Sequence, residues 1–321
     1  MLTKLQSIKK LIGHTPLVKL NHLAVSLYSK LEFHNFSGSI KDRAAYNILR
    51  AGIENGEINR ETTIIESSSG NMAISLAMIC KELGLKFIPV IDPNINKMNE
   101  AILKLFTKHV YKVQQEDKTG GYLLTRLETV KNLCLENKNA FWTNQYDNPN
   151  NYLAYYNTLG LEIAEEFDSL HYVFIAVSSG GTITGISMRL KEKFPNVKII
   201  AVDIEGSVIF GNPPMKRHFS GIGSSKRPSI LSNALIDEVI VISHEDAIEG
   251  SNKLIKEHGL FTGASSGAVY AAIEVFFKKN PHNLNEKALF ICADRGISYL
   301  DNIYNSDWIN NTLISSSQTI S

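Results

Sequence analysis

TTIIESSSGNMA, residues 62–73, passes from a β-branched block through three serines and a glycine into a small, apolar stretch. Thr62 to Glu66 suit a buried strand, the serine-glycine cluster suits a turn, and the residues beyond it read as a helix ending near Leu83–Gly84. KFIPVI (86–91), YVFIAV (172–177), KIIAVD (198–203), EVIVI (238–242) and KALFIC (287–292) repeat the strand signal, with helical patterns between them. Continuous Val/Ile/Phe runs alternating with helices predict parallel strands buried on both faces. The fold class is α/β, with parallel-rich sheets wrapped by helices. In YYNTLGLEIAEEFD (155–168), Tyr156, Leu159, Ile163 and Phe167 recur at helical spacing, with Glu162, Glu165 and Glu166 mostly off that stripe. The polar end INNTLISSSQTIS (309–321) lacks periodicity and reads as a frayed tail.

With 321 residues the chain can hold two cores. A net charge of +1, with no basic block or interleaved aromatic stripe, argues against nucleic acid as a partner. Three widely spaced cysteines, Cys80, Cys134 and Cys292, suit neither a disulfide framework nor a metal site, and point to a reducing compartment. No signal-peptide pattern and no run of roughly 18 apolar residues occurs, so the expectation is a soluble, cytoplasmic protein without a membrane partner.

Ligands of open α/β sheets sit beyond the carboxyl ends of the strands. Three small-residue loops are expected there: ESSSGNMA (66–73), SSGGT (178–182) and GASSGA (263–268), the last opening a helix near Gly267. SSGGT combines two glycines, which let the backbone approach an anion, with hydroxyl donors and a helix N-terminus; it reads as a phosphate cradle or as a tight turn with a serine cap. Upstream, SGSIKDRAA (37–45) sets Lys41 at the mouth of a helix. A phosphate cradle, small polar loops and a reactive amine together suggest pyridoxal phosphate chemistry, for which lysine is the side chain that forms the imine.

These motifs, together with IGHTPLVKL (12–20), NQYDNPNN (144–151), EGSVIFG (205–211) and GIG (221–223), follow one another in a known order. The chain resembles the cysteine synthase and cystathionine β-synthase branch of fold-type-II pyridoxal phosphate enzymes over nearly its whole length. The resemblance implies two domains: a smaller, mobile one spanning 37–149, and a larger one made of 1–36 and 150–321. It also implies that Lys41 holds the cofactor and moves the α-proton, and that Asn71 binds the cofactor's 3-hydroxyl. Ser178, Ser179, Gly180, Gly181 and Thr182 would cradle its phosphate. Ser265 would face the pyridine nitrogen and leave it unprotonated, which suits β-elimination. Ser67, Ser68 and Ser69 would grip the substrate α-carboxylate with Gln145. A homodimer is the family expectation.

Three departures from the family pattern stand out. Met72-Ala73 replaces the usual Thr-Gly, Gln145-Tyr146 replaces Gln-Phe, and Ser224-Ser225-Lys226, followed by Arg227, replaces Ala-Gly-Phe. With GYLLTR (121–126), they resemble a narrower group of synthases that join O-phosphoserine to glutamate in 2,3-diaminopropionate and siderophore pathways. The implied reaction is a β-replacement on small amino-acid substrates. Tyr146, Lys226, Arg227 and Arg126 are the candidate substrate residues, since cations suit a phosphate leaving group and a dicarboxylate acceptor. Lys226 and Arg227 could equally form a solvated face, and Arg126 could lie on the surface or pair with Glu128. The alternatives are cysteine synthase, with sulfide as nucleophile, and a cystathionine β-synthase-like activity. A cofactor-binding protein without catalysis fits poorly with intact Lys41 and Asn71, and a nicotinamide dehydrogenase lacks its GxGxxG.

Overall fold

The computed structural model of the chain describes residues 1–280 and 284–314. Among these residues ten strands form two sheets. The smaller sheet contains β3 (Thr63–Ser67), β4 (Lys86–Ile91), β5 (Tyr111–Lys112) and β6 (Ala140–Trp142) in the order β5-β4-β3-β6, all parallel. The larger joins β1 (Leu17–Leu20), β2 (Ser26–Leu31), β7 (Tyr172–Ala176), β8 (Lys198–Ile204), β9 (Glu238–Ile242) and β10 (Lys287–Cys292) in the order β1-β2-β10-β7-β8-β9. Only β1 and β2 pair antiparallel. The apolar runs explain the central positions: β3, β8 and β10 are buried almost throughout, as strands covered on both faces must be.

The structure corrects four sequence expectations. EVIVI is a strand, but β9 lies at the sheet edge and leaves Val239 and Val241 exposed. Residues 155–168 do not form one helix; Pro149–Asn157 and Leu159–Glu166 meet at Thr158, whose φ of −129° and ψ of −83° break the spiral. Tyr155, not Tyr156, is the buried ring, and Glu162 points inward to an ion network. GASSGA does not follow a strand: it comes after the helix His244–His258, and its own helix begins at Ala264 rather than near Gly267. Residues 309–314 of the expected tail are helical, and the remainder of that stretch lies outside the described residues.

The helix Lys41–Glu54 packs against the helices Pro149–Asn157 and Asn71–Leu83. Its Ala44, Ala45, Ile48 and Leu49 belong to one apolar cluster with Ile64 of β3, Val173 of β7 and Tyr155. Helices Gly181–Lys193 and Pro149–Asn157 touch backbone to backbone at Gly185, where a Cβ would stand 2.2 Å from the Tyr152 carbonyl oxygen. The start of Lys41–Glu54 is tied to the end of β10: Ser39 bridges Asp294, and the Ile40 N–H donates to the Ala293 carbonyl at 2.8 Å.

Beneath that junction Arg43 is fully buried between two carboxylates. Its Nε and one terminal nitrogen donate to Glu32 at 2.7 and 2.8 Å, and its terminal nitrogens donate to Glu162 at 2.7 and 2.9 Å. Glu32 also accepts from Thr15 and Asn35, and buried Lys30 lies 3.3 Å from Glu162. Burial alone would raise the Glu162 carboxyl, but the Arg43 hydrogen bonds and charge outweigh it and hold it down at about 2.

Arg43→Met removes the fork while leaving its acids inside. Breaking a buried pair from one side costs about 3–5 kcal/mol, read as a lower urea midpoint. Glu162 is depressed in the folded state, so its contribution is complete above the ordinary carboxylate pKa and lost as pH falls through about 2. Acid titration of stability should therefore show a smaller acid-side loss in the variant than in the wild type.

Candidate active site

The carboxyl ends of β3, β7 and β10 and the helix beginning at Lys41 surround two connected spaces. A small cavity is lined by Lys41, Ser178, Ser179, Gly180, Thr182 and Ser265, among others, and contains no acidic side chain. It opens at Lys41, Ser178 and Gly221 into a cleft of about 560 Å³ whose walls include Ser67, Ser68, Ser69, Asn71, Gln145 and Tyr146.

Lys41 occupies the first position of its helix, and its backbone N–H donates to the Ser39 hydroxyl. Burial pushes its amine below the ordinary lysine value, and the charge of Asp294 opposes the shift. That lowering makes a neutral, nucleophilic amine more accessible. SSGGT follows β7 as expected. Gly180 takes φ of 82°, a left-handed conformation that favours glycine, and starts the helix Gly181–Lys193. Gly181 is needed for packing as well: a Cβ there would fall 2.0 Å from Asn151 Oδ1, and Asn151 donates to the Gln145 carbonyl. The Ser178 hydroxyl donates to the Gly223 carbonyl at 3.0 Å, fastening the GIG loop beside the cradle.

Across the cleft, ESSSGN caps its helix. Ser68 Oγ accepts from the N–H groups of Gly70 and Ala73, both at 3.3 Å, whereas Ser67 Oγ is buried without a partner. Ser69 is committed: its hydroxyl donates to Asp92 at 2.7 Å and accepts from Arg126 at 2.8 Å. Gln145 is held by its N–H to Glu66 and by its side-chain amide to the Ser67 carbonyl. The preceding Asn144 has φ of 46°, so the NQY loop turns sharply into the cleft.

The cations are distributed differently from the sequence expectation. Arg126 does line the cleft, paired with Asp92 at 3.0 Å rather than with Glu128. Lys226 and Arg227 are not brought into its wall. Lys226 pairs with Asp147 at 3.2 Å, and Arg227 donates to the Ile209 carbonyl, so both brace neighbouring loops. Lys216 and Arg217 are in the wall instead. They sit just ahead of GIG in MKRHFSGIG, a basic cluster whose direction no periodicity reveals. Tyr146 is buried against the cleft; desolvation raises its phenol, partly offset by Arg126, Arg217 and the nearby Ser224.

Sequence reasoning also missed Asp294. It is buried at the end of β10, and its Oδ2 accepts from Asn71 Nδ2 at 2.6 Å and from the Tyr299 hydroxyl at 2.8 Å. Its Oδ1 has no partner. Burial raises this carboxyl, with Asn71, Tyr299 and Lys41 opposing. Its only sequence signal was its place after KALFIC, at the carboxyl end of a central strand.

The comparisons agree with this architecture. The chain is 40% identical over 309 residues to N-(2-amino-2-carboxyethyl)-L-glutamate synthase of Ralstonia nicotianae, covering 95% of this chain and 91% of that protein. It has the same identity over 309 residues to the enzyme of that name from Cupriavidus metallidurans, covering 94% and 91%. An O-acetylserine dependent cystathionine beta-synthase from Helicobacter pylori superposes with a TM-score of 0.86 at 31% identity, covering 93% of this chain and 98% of that one. The family described as pyridoxal-phosphate dependent enzyme matches residues 8–294, a span that takes in both sheets and every loop of the cleft from Lys41 to Asp294, and to that family the chain belongs.

Proposed function

We propose that the chain catalyses β-replacement on O-phospho-L-serine with L-glutamate as nucleophile, yielding N-(2-amino-2-carboxyethyl)-L-glutamate and inorganic phosphate. The observation that carries this reading is the likeness to two enzymes of that name along nearly the full length of both partners. The cleft supports it chemically, since Tyr146, Arg126 and Arg217 face a space that sulfide, small and needing no carboxylate recognition, would not require.

The residues present fit the family's cofactor. The small cavity offers hydroxyl and N–H donors at a helix N-terminus with no acid among them, a donor set suited to phosphate, and Lys41 and Ser265 both line it. Lys41, Asn71, Ser178 to Thr182 and Ser265 would hold pyridoxal phosphate. When bound, it would supply the electron sink that acidifies the donor's Cα–H and eases departure of its β-substituent.

The chain's own groups carry the rest. Ser67 Oγ, which lacks a protein partner, and the N–H groups opening the helix Asn71–Leu83 receive the donor's α-carboxylate, beside Gln145. Ser68 shapes that turn, and Ser69 fixes Arg126 and Asp92 at its edge. Lys41 Nζ, lowered by burial, takes the Cα proton and later returns it. The Cβ–O bond breaks as phosphate leaves, the glutamate nitrogen bonds to Cβ, and that nitrogen sheds its proton. Asp294 orients Asn71 through the 2.6 Å contact. Lys226 and Arg227 act at one remove, by bracing Asp147 and the loop at Ile209. Residues 37–149, which contain the whole smaller sheet, form the mobile domain of this reading, closing on 1–36 and 150–321. A cytoplasmic homodimer completes it, in keeping with three cysteines that are all free thiols.

Two measurements bear on the proposal. Borohydride treatment of the yellow holoenzyme should fix pyridoxyl mass on the peptide containing Lys41; label on another lysine defeats the assignment. Offered O-phosphoserine or O-acetylserine with a panel of acceptors, the enzyme should release phosphate and form the glutamate adduct, identified by mass. Efficient cysteine formation from O-acetylserine and sulfide, with no amine adduct, would mean that it is a cysteine synthase.

A further inference from the structure

Charged groups in the cleft wall do not balance. Among the described residues, Lys41, Arg126, Lys216 and Arg217 face it against only Asp92 and Glu116. Lys41 is reserved for the cofactor, and Arg126 is neutralised by Asp92 at 3.0 Å. Arg217 is half-buried yet makes no ion pair among the described residues. Its two terminal nitrogens donate to the Gly206 carbonyl at 3.2 Å and to the Ser225 hydroxyl at 3.1 Å. These are neutral acceptors, and further N–H donors remain on the fork. Desolvation lowers its pKa, with the charges of Tyr146, Asp203 and Asp117 opposing and that of Arg126 adding to the drop. A guanidinium withdrawn from water without a counter-charge is costly unless a ligand brings the anion.

The serines at 224 and 225 have a consistent role in this wall. Ser225 steadies Arg217 through its hydroxyl, and Ser224 lies close enough to the Tyr146 phenol to oppose the rise of its pKa. A substitution pair that departs from the Ala-Gly of the resemblance thus places one hydroxyl on Arg217 and another beside Tyr146, two groups facing one space. A Cβ added at Gly121 would stand 3.5 Å from Ser225 Oγ, so that loop comes close to the serine from the other side.

We infer that Arg217, aimed by Ser225, is the receptor for the side-chain carboxylate of the acceptor amino acid and sets the preference for a dicarboxylate. The inference rests on the β-replacement reading above. A planar fork suits a carboxylate, and an acceptor lacking that charge leaves the guanidinium unpaired, which is how a polar site rejects a near-isostere. Phosphate from the donor has similar chemistry, so the test must separate the two anions.

Holoenzyme with Arg217→Met, Arg217→Lys or Ser225→Ala is compared with wild type, using O-phosphoserine with glutamate or with glutamine. Phosphate release without acceptor is followed in a single turnover, and cofactor absorbance reports intact folding. Wild type should prefer glutamate over glutamine by about tenfold or more, the scale of a charge-assisted contact. In Arg217→Met that preference should vanish through a rise of about tenfold in the KM for glutamate. Arg217→Lys should recover part of it, and Ser225→Ala, which keeps the charge but loses its brace, should fall between. Slower phosphate release with an unchanged KM for glutamate would assign Arg217 to the donor's phosphate and overturn the inference, as would equal losses with glutamate and glutamine. If wild type forms no amino-acid adduct at all, the reaction reading itself fails and the inference with it. If Arg217→Met loses its cofactor, the Ser225→Ala and Arg217→Lys results decide on the same criteria.

Discussion

Arg43 is the constraint on which the rest of the architecture hangs. A guanidinium with no exposure must have its charge matched and its donors filled, and Glu32 and Glu162 do both, from opposite sides. Glu32 follows the end of β2, and Glu162 stands on the helix Leu159–Glu166 that packs toward the larger sheet. Two residues before Arg43 sits Lys41. The fork therefore fixes the roll and depth of the helix that presents the lysine amine, while the Ser39–Asp294 bridge fixes its start. The fork lies away from the cleft and the bridge meets it only through the Asp294 contacts to Asn71 and Tyr299, yet together they leave the lysine little freedom of approach.

The legible parts of the sequence were those where one-dimensional pattern and burial coincide. KFIPVI, EVIVI and KALFIC span β4, β9 and β10 to the residue, because β-branched runs between turn signals leave few alternatives. LVKL, SLYSKL, YK and AFW carried less of that signal: two are only two or three residues long, and β1 is largely half-exposed. Hydrophobicity could not say that EVIVI would lie at an edge, since edge position depends on which strands arrive beside it. The helical stripe at 155–168 failed at Thr158, where two helices turn to meet Gly181–Lys193, a tertiary demand absent from local spacing.

For the site, the loops that recruit ligands through backbone geometry were readable, because glycine and serine are scarce choices with local causes. Long charged side chains were not. Lys226 and Arg217 lie nine residues apart in the connection that follows β8, and of the two only Lys226 stood out in the sequence as a candidate for the cleft. Only the fold shows that one reaches back to Asp147 while the other turns inward beside Ser225. Asp294 was hidden for another reason: a lone acid after a strand is ordinary until Asn71 and Tyr299 are seen to converge on it.

The placement of β10 also bears on the order in which the molecule is made. In the larger sheet it stands between β2 and β7, so a nascent chain lacking residues 287–292 holds two separated pieces, β1-β2 and β7-β8-β9, with no strand to join them. The same segment delivers Ala293 and Asp294 to the mouth of the Lys41 helix. The smaller sheet, by contrast, draws all its strands from one early stretch and can close while the ribosome is still at work. Contacts so distant in sequence carry a larger loop-closure cost than those of the smaller sheet. The pocket around Lys41 is accordingly complete only once residues 287–294 are in place, and a cofactor meeting a shorter chain finds the amine without its surroundings.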